Sequence, residues 1–189
     1  MIGNRERIHA KIAELQLHLE DVPVVDRAIS PRLAYYIEEL YKIRQRKGVA
    51  RKEAEELIVS PNVFGSMLVH LGDAGAMISG LTHHYPDTIR PALQIIAMRK
   101  VVGKVSGFYL LLSPCGKLYF LADCPVNIEP TSEELAEIAI CAAEMARRFD
   151  VEPSAAFLSF SNFGSTQHPS AEKMKKAVEI VRQWEPNLW

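Results

Sequence analysis

The chain has 189 residues, 48% of them apolar and 24% charged, with a formal net charge of −1. That make-up is ordinary for a globular protein, and it argues against a basic nucleic-acid surface or an acidic disordered tail. No apolar run is long enough to span a membrane, residues 1–7 lack a signal-peptide core, and Cys115, Cys124 and Cys141 match no zinc or redox spacing, so a cytoplasmic protein with free thiols is expected.

Residues 4–19 place Ile8, Ile12, Leu15 and Leu19 at helical spacing, and residues 22–25 form a short strand candidate. Ser30-Pro31 signals a helix start, and the stripe of Leu33, Ile37, Leu40 and Tyr41 runs on to Gly48. Residues 51–59 form a further short helix. Ser60-Pro61 repeats the start signal ahead of Phe64, Met67, Leu68 and Leu71. Residues 76–79 read as a buried strand. A polar loop then leads to Pro86-Asp87 and a helix through Met98, with Pro91 near its first turn, where a missing N–H costs little. Residues 105–112 and 118–122 are apolar runs joined by Ser113-Pro114-Cys115-Gly116, the pattern of a hairpin. Thr131 and Glu134 form a capping box for a helix that carries Leu135, Ile138, Ala142, Met145 and Phe149 and stops near Asp150. Residues 155–160 are the last strand candidate, and Pro169 opens a final amphipathic helix. Strands alternating with helices indicate an α/β class with a mostly parallel sheet. The chain ends directly after a helix, leaving both tryptophans and Leu188 with little chain to cover them. An internal segment of a larger domain is expected to look this way.

Several segments can carry chemistry. The stretch from Ser79 through the histidine pair His83-His84 to Asp87, Thr88 and Arg90 runs from a strand candidate into a helix start. Ligands bind in such loops of open α/β sheets, N-terminal N–H groups favour anions, and Arg90 adds a bidentate donor. A helix cap at Asp87 with a surface arginine is the equally weighted alternative. Adjacent histidines do not converge on one ion, and no Cys or carboxylate cluster accompanies them, so no metal site is expected. Ser159, Ser161, Gly164 and Ser165 form a second loop whose hydroxyls can line a phosphate or carbonyl oxygen, although Ser/Asn/Gly turns are common. Arg44-Gln45-Arg46-Lys47 either complements a helix C-terminus or meets phosphates. Asp123 and Asn127 bind a ligand or, as is commoner, satisfy backbone N–H groups in a turn.

Taken together, these segments resemble the phosphate acetyl/butyryltransferase family in order and spacing. Tyr41-Lys42-Ile43-Arg44-Gln45-Arg46-Lys47-Gly48 looks like its Y-x-x-R-x-x-K-G element. Gly72-Asp73-Ala74-Gly75 through Ser79-Gly80 looks like its G-(D/E)-x-D-(A/G)-x-x-S-G element, with Gly75 where the family usually has aspartate, which predicts a softer loop. Asp87-Thr88-Ile89-Arg90-Pro91 with Gln94, Ala122-Asp123 through Asn127, and Leu158-Ser159-Phe160-Ser161 with Gly164-Ser165 are similar to three further family motifs. Tyr85-Pro86 and Asn162-Phe163 lean toward the transferase-like C-terminal domain of bacterial NADP-dependent malic enzymes.

The resemblance implies a three-layer α/β/α fold with a mostly parallel sheet, like isocitrate and isopropylmalate dehydrogenases. It would be truncated at both ends, with residues 1–100 in a first lobe and 101–189 in a second. It implies that Arg44 and Arg90 contact phosphate or CoA, that Ser79, Asp87 and Thr88 belong to the same binding set, and that Ser159, Ser161, Gly164 and Ser165 line the cleft. The family's serine-arginine pair and acidic base would lie beyond Trp189, so no catalytic residue is expected here. The main expectation is a regulatory module of a malic enzyme that binds acetyl-CoA or CoA and phosphate, in a homo-oligomer without nucleic-acid or membrane partners. NADP and a divalent metal would belong to that enzyme's other module. A free-standing phosphate acetyltransferase and a structural oligomerisation module are the alternatives.

Overall fold

Apolar spacing sets the helices of the first half of the chain. The computed structural model describes residues 1–98, 103–162 and 165–188. Helix α1 spans Arg5–Glu14, and the Asn4 side chain accepts from the Arg7 N–H at its start. Helices α2 (Leu33–Arg44), α3 (Arg51–Leu57), α4 (Pro61–His70) and α5 (Tyr85–Ile95) follow. The start expected at Ser30-Pro31 comes later, at Leu33, because Asp26 caps a 3-10 turn over Arg27–Ile29 first. Gly48 closes a 3-10 extension of α2 at φ +90°, a left-handed conformation that glycine adopts without a Cβ clash.

These helices form one compact unit, Met1–Ala97. Its core joins Tyr36 and Leu40 of α2, Ala54 of α3, Phe64 and Met67 of α4 and Ile95 of α5, together with Val49 and Ile58. The Tyr36 and Phe64 rings meet edge to face at 5.2 Å, the arrangement their quadrupoles favour. Residues 62–67 of α4 are all buried. Its polar members Asn62 and Ser66 must therefore find partners inside the protein.

The second unit is Met98–Trp189. Strands β1 (Phe108–Leu112) and β2 (Leu118–Ala122) pair antiparallel, with Leu112 opposite Leu118. The Ser113 hydroxyl closes their turn, accepting from the Lys117 N–H and donating to its carbonyl, both at 3.0 Å. Helices α6 (Ser132–Arg147) and α7 (Pro169–Trp184) pack through Ala136, Ala143 and Val181. Ion pairs Glu133–Lys176 and Arg147–Glu185 flank the contact. The expected capping box forms: the Glu134 N–H reaches Thr131 Oγ1 at 3.2 Å and the Thr131 N–H reaches Glu134 Oε2 at 2.8 Å. Leu188 is buried after all, because the turn after α7, closed by the Leu188 N–H on the Glu185 carbonyl, returns it to this cluster. Trp184 stays half exposed.

The chain is thus mixed α/β. Among the described residues the sheet is the β1–β2 hairpin, plus an isolated parallel bridge between Ile2 and Val25. The strand candidates at 76–79 and 155–160 enter no ladder with the described residues. A strand exists by virtue of its pairing, and Ile78 and Leu158 stand out into solvent. Among the described residues no helix is long and apolar enough to cross a membrane.

Candidate functional site

In the first unit one buried amide links two of the singled-out residues, Ser79 and Asp87. Asn62, in the first turn of α4, is 3% exposed. Its Nδ2 donates to the Asp87 carbonyl at 3.0 Å, and its Oδ1 accepts from the Ser79 hydroxyl at 2.5 Å. Asn62 therefore ties the end of the 76–79 segment to the start of α5. The reason lies in Pro91. It stands inside α5, beyond the first turn rather than near it, one helical turn after Asp87. A residue there would normally donate its N–H to the Asp87 carbonyl, and proline has none. The Asn62 amide supplies a donor in its place.

Around this link stand Thr88, whose buried Oγ1 has no hydrogen-bond partner, and Arg90, exposed on α5. Arg44, half-buried, ends α2, which packs against α5. Neither guanidinium meets a carboxylate among the described residues, so both remain available to an anion. The acidic residue of the Gly72-Asp73 motif is engaged: Arg32 Nη1 and the Tyr36 hydroxyl both donate to its carboxylate. The Arg32 hydrogen bond is the main cause that holds this carboxyl below the usual carboxylate range, against a partial burial that pushes it up. Burial, then the hydrogen bond to Asp73, raises the Tyr36 phenol. A Cβ on Gly75 would meet nothing within 4 Å. His83 and His84 are exposed in the loop.

In the second unit, Ser159, Ser161 and Ser165 lie in one loop held by its own hydroxyls. The Ser161 N–H donates to Ser159 Oγ at 3.1 Å, the Thr166 N–H to Ser161 Oγ at 3.1 Å, and Ser161 and Ser165 hydroxyls lie 3.4 Å apart. Gly164 lies outside the described residues. Asn127 bonds Asp123 Oδ1 and the Val105 carbonyl, the fold-supporting use of that pair.

A family model described as phosphate acetyl/butaryl transferase matches residues 1–189. The chain belongs to this family. Members similar to it include the phosphate acetyltransferase of Bacillus subtilis, 41% identical over the whole of this chain and 58% of that protein. The NADP-dependent malic enzyme of Escherichia coli is 38% identical over the whole of this chain and 25% of that protein. A crystal structure of a phosphotransacetylase from Streptococcus pyogenes superposes with a TM-score of 0.85 at 34% identity, over 99% of this chain and 57% of that one. The chain thus spans less than two thirds of the length of these relatives. As a member of the phosphate acetyl/butaryl transferase family it bears out the resemblance carried by its motifs. The similarity extends to phosphate acetyltransferases as well as to malic enzymes, so the lean toward the malic-enzyme branch gains no support over its alternative.

Sequence reasoning missed Asn62. The signal was present: an asparagine at the start of a helix whose following residues are nearly all apolar or small must be buried, and a buried amide needs partners.

Proposed function

We propose that this chain is part of a phosphate acetyltransferase, moving an acyl group between CoA and inorganic phosphate, and that it supplies the cationic side of the site. What supports this is family membership over the whole chain, together with Arg44 and Arg90 on two packed helices, both without a carboxylate partner among the described residues. The two guanidinium groups would neutralise phosphoryl oxygens of CoA or phosphate, with Ser79, Asp87 and Thr88 beside them. The general base for the CoA thiol would lie outside this chain. In the complete domain the segments 76–79 and 155–160 would enter a parallel sheet of a three-layer α/β/α fold, and the protein would be a cytoplasmic homo-oligomer. Ser159, Ser161 and Ser165 would offer the hydroxyls of their own loop to ligand oxygens.

The test is CoA binding by calorimetry, with arginine variants. Loss of one charge-assisted hydrogen bond is worth about 1.5–3 kcal/mol, so Arg90→Ala and Arg44→Ala should each weaken CoA binding by roughly ten- to a hundredfold. Unchanged affinity in both variants would refute the placement. The malic-enzyme match supports a second reading, in which the same site binds acetyl-CoA as a regulator. Phosphate-dependent release of CoA from acetyl-CoA by the intact protein favours the first reading. Acetyl-CoA-sensitive malate oxidation without such release favours the second.

A further inference from the structure

We propose that Asn62 is a positioning residue, which works as a pair with Pro91 to hold the loop between Ser79 and Asp87 in its binding geometry. Its influence on a ligand rests on the CoA reading above; its hold on the loop does not.

Four observations carry this. Asn62 is anchored in α4, where residues 62–67 are all buried. One side of its amide takes the Asp87 carbonyl that Pro91 leaves without a helical donor. The other side takes the Ser79 hydroxyl. Between these two fixed points the loop's hydrogen bonds are local, such as the Thr82 N–H on the Gly80 carbonyl at 2.7 Å, while Gly80 and Leu81 adopt positive φ, at +136° and +57°, and the Leu81 side chain is fully exposed. Left-handed backbone at a leucine is disfavoured and persists only where its surroundings impose it. One side chain thus closes both ends of the loop. Thr88 and Arg90 follow Asp87 within the next turn of α5, so the end that Asn62 fixes sets where they stand. A proline that opens a carbonyl and an asparagine that fills it make the connection specific to these two helices, which an ordinary intrahelical hydrogen bond would not do.

The experiment is a set of four proteins: wild type, Asn62→Ala, Pro91→Ala and the double variant. Each is followed by amide hydrogen exchange, thermal unfolding and CoA binding. In Asn62→Ala, exchange across residues 79–88 should rise about tenfold or more, as expected for the loss of buried hydrogen bonds, and CoA affinity should fall about tenfold. Adding Pro91→Ala returns a helical donor to the Asp87 carbonyl. Thermal stability should then recover, while exchange at 79–82 and CoA affinity stay at the Asn62→Ala level, because the Ser79 hydroxyl still has no acceptor. If affinity recovers together with stability, Asn62 is merely structural and the proposal is overturned. Wild-type exchange in Asn62→Ala overturns it too. A wild-type chain that binds no CoA counts against the ligand reading, and the exchange pattern alone then decides the positioning role. Should Asn62→Ala fail to fold, Asn62→Asp keeps the acceptor for Ser79 and loses the donor for Asp87. Exchange should then rise at 84–88 and not at 79–82, and the reverse pattern overturns the proposal.

Discussion

Gly65→Ala sets two effects of opposite sign against each other. Gly65 lies inside α4, where alanine is the better helix former by about 0.8–1 kcal/mol. The space argues the other way. A Cβ there would stand 2.7 Å from Met77 Sδ, 3.4 Å from Met77 Cγ and 3.3 Å from Ile2 Cδ1. Carbon contacts are optimal at about 3.5–4.0 Å, so Met77 has to move by roughly 1 Å. Overpacking of this kind costs about 1–3 kcal/mol, and a flexible methionine keeps it from reaching the top of that range. The net expectation is a loss of about 1 kcal/mol. In a Met77→Ala background the nearest obstacle is gone while Ile2 Cδ1 at 3.3 Å remains, and the same substitution should stabilise by up to about 1 kcal/mol. The coupling is then up to about 2 kcal/mol, well above the few tenths seen between independent sites. Urea unfolding of the four proteins by circular dichroism measures it. A Gly65→Ala effect that is equal in both backgrounds would refute the close approach, and with it the idea that α4 sets the path of the segment leading to Ser79.

Two further outcomes are expected. The Asp73 carboxyl has a lower pKa folded than unfolded, chiefly because of Arg32, so its stabilisation is complete above the ordinary carboxylate value and is lost as pH falls through the folded value. The stability difference between wild type and Asp73→Asn should therefore be constant near neutrality and shrink once pH drops below about 4; a difference that stays constant down to the acid limit of folding rules this out. The Cys115 thiol is exposed at the hairpin turn and held below its ordinary range first by the Ser113 hydroxyl, 3.1 Å away, then by the Lys117 backbone. Ser113→Ala should slow its alkylation by iodoacetamide at neutral pH and Ser113→Thr should not; equal rates in all three proteins would show that the hydroxyl does not activate the thiol.

Local chemistry was legible in the sequence where both partners lie within a few residues. The Thr131–Glu134 capping box, the Ser113–Gly116 turn and the glycine stop at Gly48 each rest on contacts inside one turn of chain, and all three occur. The family motifs were legible for a different reason, since their order and spacing stay recognisable without any knowledge of what they touch. The pairing of strands was not. Residues 76–79 have the composition of a buried strand, but a ladder needs a second segment, and composition does not name it. Leu188 was misjudged because the length of chain remaining says nothing about where a turn sends it.

The candidate site shows the same boundary most clearly at Asp87. The sequence marks Asp87-Thr88-Ile89-Arg90-Pro91 as a helix start with a tolerated proline, and taken alone that reading is self-consistent. The helix begins at Tyr85, so the proline falls where its missing N–H does matter. The orphaned carbonyl then has to be satisfied from elsewhere. Its donor, Asn62, is 25 residues away, and the other end of the same amide meets Ser79, 17 residues away. Neither separation belongs to any local pattern. What sequence does allow is a more exacting question of each interior proline, namely which carbonyl it leaves open and which buried amide can reach it. Here that question leads from the most ordinary residue of a family motif to an asparagine that none of the motifs contains.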